Sequence, residues 1–220
     1  MTATSLTTQL ADYKAAFIAR VDPARVAVME SATSTLRASG IEGTALKVGH
    51  AAPDVVLPNA MGSPVRLSSL WKTGPLIVLF YRGGWCPYCN LELRAWQQQL
   101  DAVARANAQL VAISPQTPDN SLSTQQKNEL AFEVLSDSSL EAARGFGVLF
   151  DMPEALVALY SGAGNDLPVL NGNGRWSLPV PATFVIDTAG IVQLAHVDAD
   201  YRNRADPADV LARITQVASG

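Results

Sequence analysis

The chain has 220 residues, 48% of them hydrophobic, and a formal net charge of −4. This is the composition of an ordinary globular protein with room for one substantial hydrophobic core. Because there is no cluster of basic residues, neither nucleic acid nor an anionic membrane is an expected partner. The N-terminal segment MTATSLTTQLADYK lacks the charged start and apolar core of a signal peptide or a spanning helix, so we expect a cytoplasmic protein.

Two amphipathic helices are predicted at the N-terminus. In residues 6–17 and 26–36 apolar side chains recur at helical spacing, and Gly40 follows the second helix. We assign residues 1–44 to an N-terminal helical extension and residues 45–220 to the main domain. Packing of the extension on the sheet is the favoured interpretation, and a cover over the functional site or a dimer contact are the alternatives.

The main domain begins with short β-strands. Strands are predicted at residues 54–57 and 65–67, and the segment between them has the residues of a hairpin loop. Residues 75–81 are then apolar or aromatic without alternation. Such a run is typical of a strand that is buried on both faces in the middle of an α/β sheet.

The two cysteines of the chain follow this central strand, after a glycine turn. Pro87 suits the first turn of a helix, which places Cys86 at the helix N-terminus. The unpaired amides and the helix dipole there favour a thiolate, so we expect the pKa of Cys86 to fall. Arg82 adds positive charge beside the sulfur, and Trp85 shields it from water. Cys89 lies three residues further on the same helix face, within reach of a disulfide, so Cys86 is the predicted attacking thiolate and Cys89 the predicted resolving thiol.

Two plainer interpretations compete with a redox pair. A zinc site needs about four ligands, but there is no second cysteine pair, and His50 and His196 are distant in sequence. Two buried, inert cysteines are the other alternative, which the strand–turn–helix context and the tight spacing argue against. We therefore expect a working thiol pair without metal or other cofactor.

The rest of the chain alternates between strands and helices. The predicted elements are strands at 109–113, 132–135, 184–186 and 191–197, with helices at 121–128, 138–144 and from 206 onward. A strand–helix–strand–helix–strand order predicts parallel strands joined by right-handed crossovers.

Residues 151–178 interrupt this alternation. They are rich in proline and glycine around one predicted helix at 154–160. Because insertions of this length in compact domains are more often functional than idle, we predict a lid or a substrate contact.

The loop after the last strand is a further candidate. If this loop returns to the sheet edge that holds the cysteines, Asp198, Asp200, Tyr201 and Arg202 rim the site; the alternative is a solvated turn before a capped helix. His196, within an apolar strand, is more typical of a core or edge residue than of an acid–base group.

Several motifs in order resemble a known family. They are the WCxxC at the strand-to-helix junction, APDVVL, AISPQ, LSDSS, GFGV and PATFVID. Together they are similar to the alkyl hydroperoxide reductase C/thiol-specific antioxidant (AhpC/TSA) branch of the thioredoxin superfamily, the peroxiredoxin-like proteins. The resemblance covers about residues 48–220.

The resemblance implies both a fold and an activity. The fold is α/β and thioredoxin-like, a central mixed β-sheet flanked by helices, here with an N-terminal helical extension. The activity is that of a thiol-dependent peroxidase, which reduces a hydroperoxide through a dithiol–disulfide cycle and is regenerated by thioredoxin or by glutathione and glutaredoxin. A homodimer is also implied.

Particular residues take roles by their position in these motifs. Cys86 matches the peroxidatic cysteine and Cys89 a local resolving cysteine. Pro181 matches the cis-proline that faces the disulfide in this fold. A cis Val180–Pro181 bond implies a free backbone edge beside the cysteines, open to a bound thiol substrate.

The chain also departs from the family pattern. Peroxiredoxins share a P-x-x-x-T-x-x-C motif, but Leu79 and Gly83 occupy the proline and threonine positions, and no arginine stands beside Pro181. The buried carboxylate that thioredoxins carry in the central strand is absent, since Phe80 occupies that position.

These departures leave substrate contacts and the activity open. Arg82 or Arg175 are candidates for the missing charge, with Tyr88 or Trp85 as further contacts. The CPYC sequence is shared with glutaredoxins, which points to glutathione as a reductant. A thioredoxin- or glutaredoxin-like disulfide reductase is therefore the first alternative function, and a redox-sensing binding module is the second.

Overall fold

The computed structural model describes the backbone of residues 4–217 and the side chains up to residue 214. The helices are α1 (Leu6–Arg20), α2 (Pro23–Ala38), α3 (Ile41–Thr44), α4 (Leu67–Trp71), α5 (Pro87–Gln97), α6 (Leu100–Arg105), α7 (Pro118–Lys127), α8 (Glu141–Gly145), α9 (Glu154–Gly162), α10 (Leu167–Asn171) and α11 (Pro207–Val217). The strands are β1 (Val56–Pro58), β2 (Pro64–Arg66), β3 (Leu76–Phe80), β4 (Gln109–Ser114), β5 (Glu133–Ser136), β6 (Leu149–Asp151), β7 (Ser177–Pro179), β8 (Ala182–Ile186) and β9 (Val192–Val197).

The central sheet is mixed. Its five strands lie in the order β5, β4, β3, β8, β9. β3 is parallel to β4 and β4 to β5, whereas β8 is antiparallel to both β3 and β9. The predicted parallel strands and the predicted thioredoxin-like α/β fold are confirmed.

Strand β3 lies at the centre of this sheet and separates two hydrophobic layers. Ile77 and Leu79 belong to the layer packed by α1, α5 and α11. Leu76, Val78 and Phe80 belong to the opposite layer, which includes residues of α4 and α8. Every residue of β3 is fully buried, as its unbroken apolar sequence predicts.

The extension and the insertion pack against each other as well as against the main domain. Helix α1 contacts α5, and α2 contacts α9 of the insertion. Strands β6 and β7 pair antiparallel, which brings the two ends of the insertion together. Arg37 of α2 forms an ion pair with Asp198 at 2.6 Å. The extension thus packs mainly on helices α5 and α9 rather than on the sheet, which was the favoured interpretation, and it also reaches the loop that follows β9.

Within residues 4–217, none of the helices is both long and apolar enough to cross a membrane.

The central strand is the most sensitive part of the core. Replacing the fully buried Leu79 by alanine leaves a cavity between β3 and its helices, so we expect a loss of about 2–5 kcal/mol in the free energy of unfolding, measured with urea. Met61→Ala is the matched control, because Met61 is 76% exposed and its loss is expected to cost less than ~0.5 kcal/mol. Equal stabilities of the two variants would contradict this account of the core.

Candidate active site

The cysteines lie where β3 passes into α5. Cys86 is the N-cap residue of α5 and Pro87 is its first residue, as predicted. The turn before them contains Gly83, whose φ of +144° favours glycine. A Cβ atom on Gly83 would lie 2.4 Å from Nε1 of Trp85, so the indole ring occupies the space of any larger side chain at this position.

Both cysteines are reduced and buried. Cys86 is 1% exposed and Cys89 is fully buried. Cys86 lines a cavity of about 220 Å³, which we call the Cys86 cavity, and Cys89 lies behind it. Cys86 is therefore the sulfur that faces a small molecule entering this cavity.

The two sulfurs differ in the hydrogen-bond donors around them, and so in which sulfur favours a negative charge. The Sγ atom of Cys89 accepts hydrogen bonds from the backbone N–H of Arg82 and from Nη2 of Arg204, both at 3.5 Å. Burial raises the pKa of Cys89, but the hydrogen bond from Cys86, the Arg204 guanidinium and the Arg82 N–H together hold this pKa well below its usual value. These donors therefore favour the thiolate on Cys89 over one on Cys86.

The lowered pKa predicted for Cys86 is wrong for this state of the protein. Burial is the largest effect and raises the pKa of Cys86, and its S–H donates to Cys89, whose negative charge raises that pKa further. The charges of Arg82 and Arg204 act in the opposite direction but do not prevail. The helix N-terminus is present, yet the second sulfur receives the direct contacts with the donors.

Arg82 forms one wall of the Cys86 cavity. Its side chain is buried and donates to the hydroxyl group of Tyr160. Its guanidinium lies over the aromatic rings of Tyr201, Trp85 and Tyr160, at 4.3, 5.0 and 5.3 Å from their centroids. The predicted charge beside the cysteines is thus provided by Arg82, within an aromatic cage.

The walls of the Cys86 cavity come from five parts of the chain. The lining residues include Tyr13 and Phe17 of α1, Arg25 and Met29 of α2, Leu159 and Tyr160 of α9, Tyr201 of the loop after β9, and Trp85, Pro87 and Tyr88 beside Cys86. The ring of Tyr88 makes edge contacts with Tyr13 at 5.0 Å and with Tyr201 at 5.6 Å. The extension and the insertion therefore cover the cysteine pair from outside.

Val180 and Pro181 are arranged differently from the prediction. All peptide bonds of the described residues are trans, so the predicted cis Val180–Pro181 bond is wrong. The N–H of Val180 donates to the carbonyl of Val148 at 2.7 Å, which continues the pairing of β6 and β7 and leaves no free edge there. Both residues line a second cavity of about 320 Å³, which Arg82 and Tyr201 also line.

Arg175 lies apart from the cysteines. The residue is exposed, its backbone N–H donates to Oδ1 of Asn173, and it lines neither cavity. The structure thus brings Arg82, Trp85, Pro87 and Tyr88 to the Cys86 cavity but leaves Arg175 outside it.

Three residues of this site, Arg204, Glu92 and Tyr160, were not predicted from the sequence. Arg204 contacts Cys89 and forms a buried ion pair with Glu92, and each side chain is 1% exposed. Burial raises the pKa of Glu92 to about 7 against the opposing charge of Arg204. The only feature of the sequence that could have indicated Glu92 is its position, three residues after Cys89 on the buried side of α5. For Tyr160, which lies in the insertion, no sequence feature pointed to a contact with Arg82.

The remaining candidates do not join the Cys86 cavity. His196 has a buried Nε2 without a hydrogen-bond partner among the described residues, and burial lowers its pKa. No group of three or more His, Cys, Asp or Glu side chains suited to hold a metal ion is found among the described residues. Of the loop residues predicted to rim the site, only Tyr201 lines the cavity.

Known proteins share both the sequence pattern and the fold. The AhpC/TSA family model matches residues 48–195. Chloroplastic peroxiredoxin Q of Sedum lineare is 26% identical over 178 residues, which cover 81% of this chain and 80% of that protein.

Two solved structures are similar in fold. The crystal structure of peroxidoxin BcpB from Mycobacterium tuberculosis has a TM-score of 0.63 at 23% identity, covering 78% of this chain and 98% of the other. The Xanthomonas campestris bacterioferritin comigratory protein, described for its alkyl peroxide reduction activity, has a TM-score of 0.58 at 19% identity over 79% of this chain and 98% of the other. From the family match across residues 48–195, this chain belongs to the AhpC/TSA family.

Proposed function

We propose that the protein is a thiol-dependent peroxidase that reduces hydroperoxides through Cys86 and Cys89. The observation that carries the proposal is the placement of Cys86 in a chain of this family: the residue lines a small cavity, and the second cysteine is its hydrogen-bond partner. A small oxidant reaches Cys86 there, and the disulfide closes without a large movement of the chain.

The reaction begins with a proton transfer between the two cysteines. The Cys86 proton passes to Cys89 along their hydrogen bond, and the Cys86 thiolate attacks the hydroperoxide. An S–O bond forms, the O–O bond breaks, and the expelled alkoxide takes the proton from Cys89 and leaves as the alcohol. Cys89, again a thiolate, attacks the Cys86 sulfenic acid. The S–S bond forms as hydroxide leaves and is protonated to water.

Two buried donors beside Cys86 are suited to hold the hydroperoxide oxygens. Nε of Arg82 and Nε1 of Trp85 are both buried without a hydrogen-bond partner among the described residues, and both side chains line the Cys86 cavity. Buried donors of this kind are costly unless a ligand satisfies them. The indole also fills the space beside Gly83, the position of the family's threonine, so Trp85 and Arg82 take over the roles of the missing threonine and arginine.

The reductant that fits this small cavity is a small anionic thiol such as glutathione. Cys86 is 1% exposed beneath α1 and α9, so a protein thiol reaches it only if this cover opens. Arg25 and Arg82 line the same cavity and provide charges that complement the carboxylates of glutathione. Assembly as a homodimer stays a prediction from the family resemblance.

Rapid mixing of the reduced protein with hydrogen peroxide or an organic hydroperoxide tests the proposed function. We expect loss of free thiols far faster than for a free cysteine, because the site supplies both a base and donors, and no such reaction in Cys86→Ser. Cys89→Ser is expected to react more slowly and to accumulate a sulfenic acid, detected with a dimedone-type reagent. Oxidation at the rate of a free thiol would instead favour the disulfide reductase, and poor turnover with every reductant would favour the redox-sensing module.

Removal of the indole N–H tests the proposed donors. Trp85→Phe retains an aromatic ring over Gly83 but loses the donor, so we expect peroxide oxidation to slow by about 100-fold, the usual effect of deleting one such donor. The measurement is hydroperoxide consumption. Trp176→Phe is the matched control, since Trp176 does not line the Cys86 cavity, and its rate is expected to be unchanged. Equal rates in the two variants would exclude Trp85 as a donor.

Recycling of the oxidised protein tests the reductant. With NADPH-coupled assays, we expect glutathione with its reductase to regenerate the dithiol faster than thioredoxin with its reductase at equal reducing equivalents. Arg25→Gln is expected to slow the glutathione reaction alone, because it removes one positive charge from the cavity. Faster recycling by thioredoxin would show that the cover opens to a protein partner.

A further inference from the structure

A second group of buried charges lies behind the cysteine pair, away from the Cys86 cavity. Arg204 and Glu92 form an ion pair, and Nη2 of Arg204 also donates to Sγ of Cys89 at 3.5 Å. Neither residue lines the Cys86 cavity, and Arg204 lies outside the residues matched by the family model. The binding of peroxide therefore does not account for this pair.

The guanidinium of Arg204 is held in one position. Its Nε and Nη2 donate to the carbonyl oxygen of Tyr201, at 2.9 and 2.6 Å, and its Nη1 donates to Glu92. These contacts leave Nη2 directed at Cys89 as well. The donor is thus already in place before any charge develops on the sulfur, so no reorganisation is needed when it does.

The charges around the sulfurs do not balance without a thiolate. Two guanidinium groups, Arg82 and Arg204, are buried with one carboxylate, Glu92, and burial raises the pKa of the neighbouring Tyr160 and Tyr201 so that their phenols stay neutral. When Glu92 is ionised, one positive charge is left over if the cysteines form a disulfide, and when Glu92 is protonated two are left. A single thiolate on Cys89 neutralises one positive charge, so the buried charges favour the reduced state.

We propose that Arg204 is a catalytic residue that stabilises the Cys89 thiolate whenever the disulfide opens, and that Glu92 is a positioning residue that holds Arg204 and limits its effect. The inference rests on the proposed function only for the dithiol–disulfide cycle, whatever the oxidant. The site is thereby a disulfide that is easily reduced, because its leaving group is a stabilised thiolate.

The step that Arg204 assists is the attack of a reductant thiolate. The reductant sulfur forms a bond with Sγ of Cys86, the Cys86–Cys89 bond breaks, and both electrons of that bond remain on Cys89. Arg204 and the N–H of Arg82 stabilise the new charge, so this step needs no proton. A second reductant thiol then attacks the mixed disulfide and releases Cys86, which takes up one proton, together with the oxidised reductant.

Two single variants separate this charge effect from a structural role. Arg204→Gln and Glu92→Gln break the same ion pair. If the ion pair served only to stabilise the structure, both variants would shift the redox equilibrium in the same direction. If Arg204 acts through its charge, Arg204→Gln favours the disulfide and Glu92→Gln favours the dithiol. We expect shifts of about tenfold or more for Arg204→Gln, which is about 30 mV, in equilibrium with a glutathione redox buffer and without peroxide.

The thiolate titration gives a second readout. In a Cys86→Ser background, the ultraviolet absorbance of the thiolate reports Cys89 alone. Its pKa is expected to rise with Arg204→Gln, which removes a positive charge, and to fall with Glu92→Gln, which removes a negative one. Glu30→Gln is the matched control. It breaks the ion pair of Glu30 with Arg202, which lies in the same loop as Arg204, but it removes no charge next to Cys89. It is therefore expected to change neither the redox equilibrium nor the pKa of Cys89.

A double variant keeps the test decisive if a single variant does not fold. Glu92→Gln with Arg204→Gln replaces the ion pair by two amides, and its redox equilibrium is expected to lie between those of the single variants. Shifts of both single variants in the same direction, or of neither, would overturn the proposal, and so would a double variant outside that interval. None of these measurements uses peroxide, so a negative result in the peroxidase assay would not contradict the proposed role of Arg204.

Discussion

The burial of two guanidinium groups around a pair of sulfurs is the constraint on which the rest of this structure depends. An arginine removed from water is costly unless its charge is stacked, hydrogen-bonded or balanced. Arg82 is stacked within an aromatic cage, and Arg204 is paired with Glu92 and contacts Cys89. A thiolate on Cys89 therefore lowers the free-energy cost of burying the arginines. The arginines in turn lower the free-energy cost of burying the thiolate.

This constraint explains why the extension and the insertion belong to the site. The cage around Arg82 needs Tyr160 from α9 and Tyr201 from the loop after β9, and the cavity needs Tyr13 and Phe17 from α1. The family model covers residues 48–195 and so includes neither α1 nor α2. The extension and the loop after β9 thus contribute walls of the Cys86 cavity from outside the matched residues, whereas α9 lies within them. Differences in substrate and reductant are expected to arise in the extension and in this loop.

The same arrangement bears on the family motif that this chain lacks. A threonine in place of Gly83 would collide with Trp85, whose indole N–H fills that space. In the proposed function, the donors come instead from the ring nitrogen of Trp85 and the guanidinium of Arg82, both of which lie between β3 and α5.

The sequence by itself determined the features that depend on neighbours along the chain. The buried run of β3 and the cysteine at the start of α5 follow from local periodicity and from Pro87, and the α/β fold follows from the order of strands and helices. Tertiary structure alone decided the contacts between Arg204 and Cys89 and between Arg82 and Tyr160, which are 115 and 78 residues apart in sequence. It also decided that the hydrogen-bond donors contact Cys89 rather than Cys86 and that the Val180–Pro181 bond is trans. The charge and the burial of a sulfur depend on every element packed around it. A local sequence pattern therefore does not predict them.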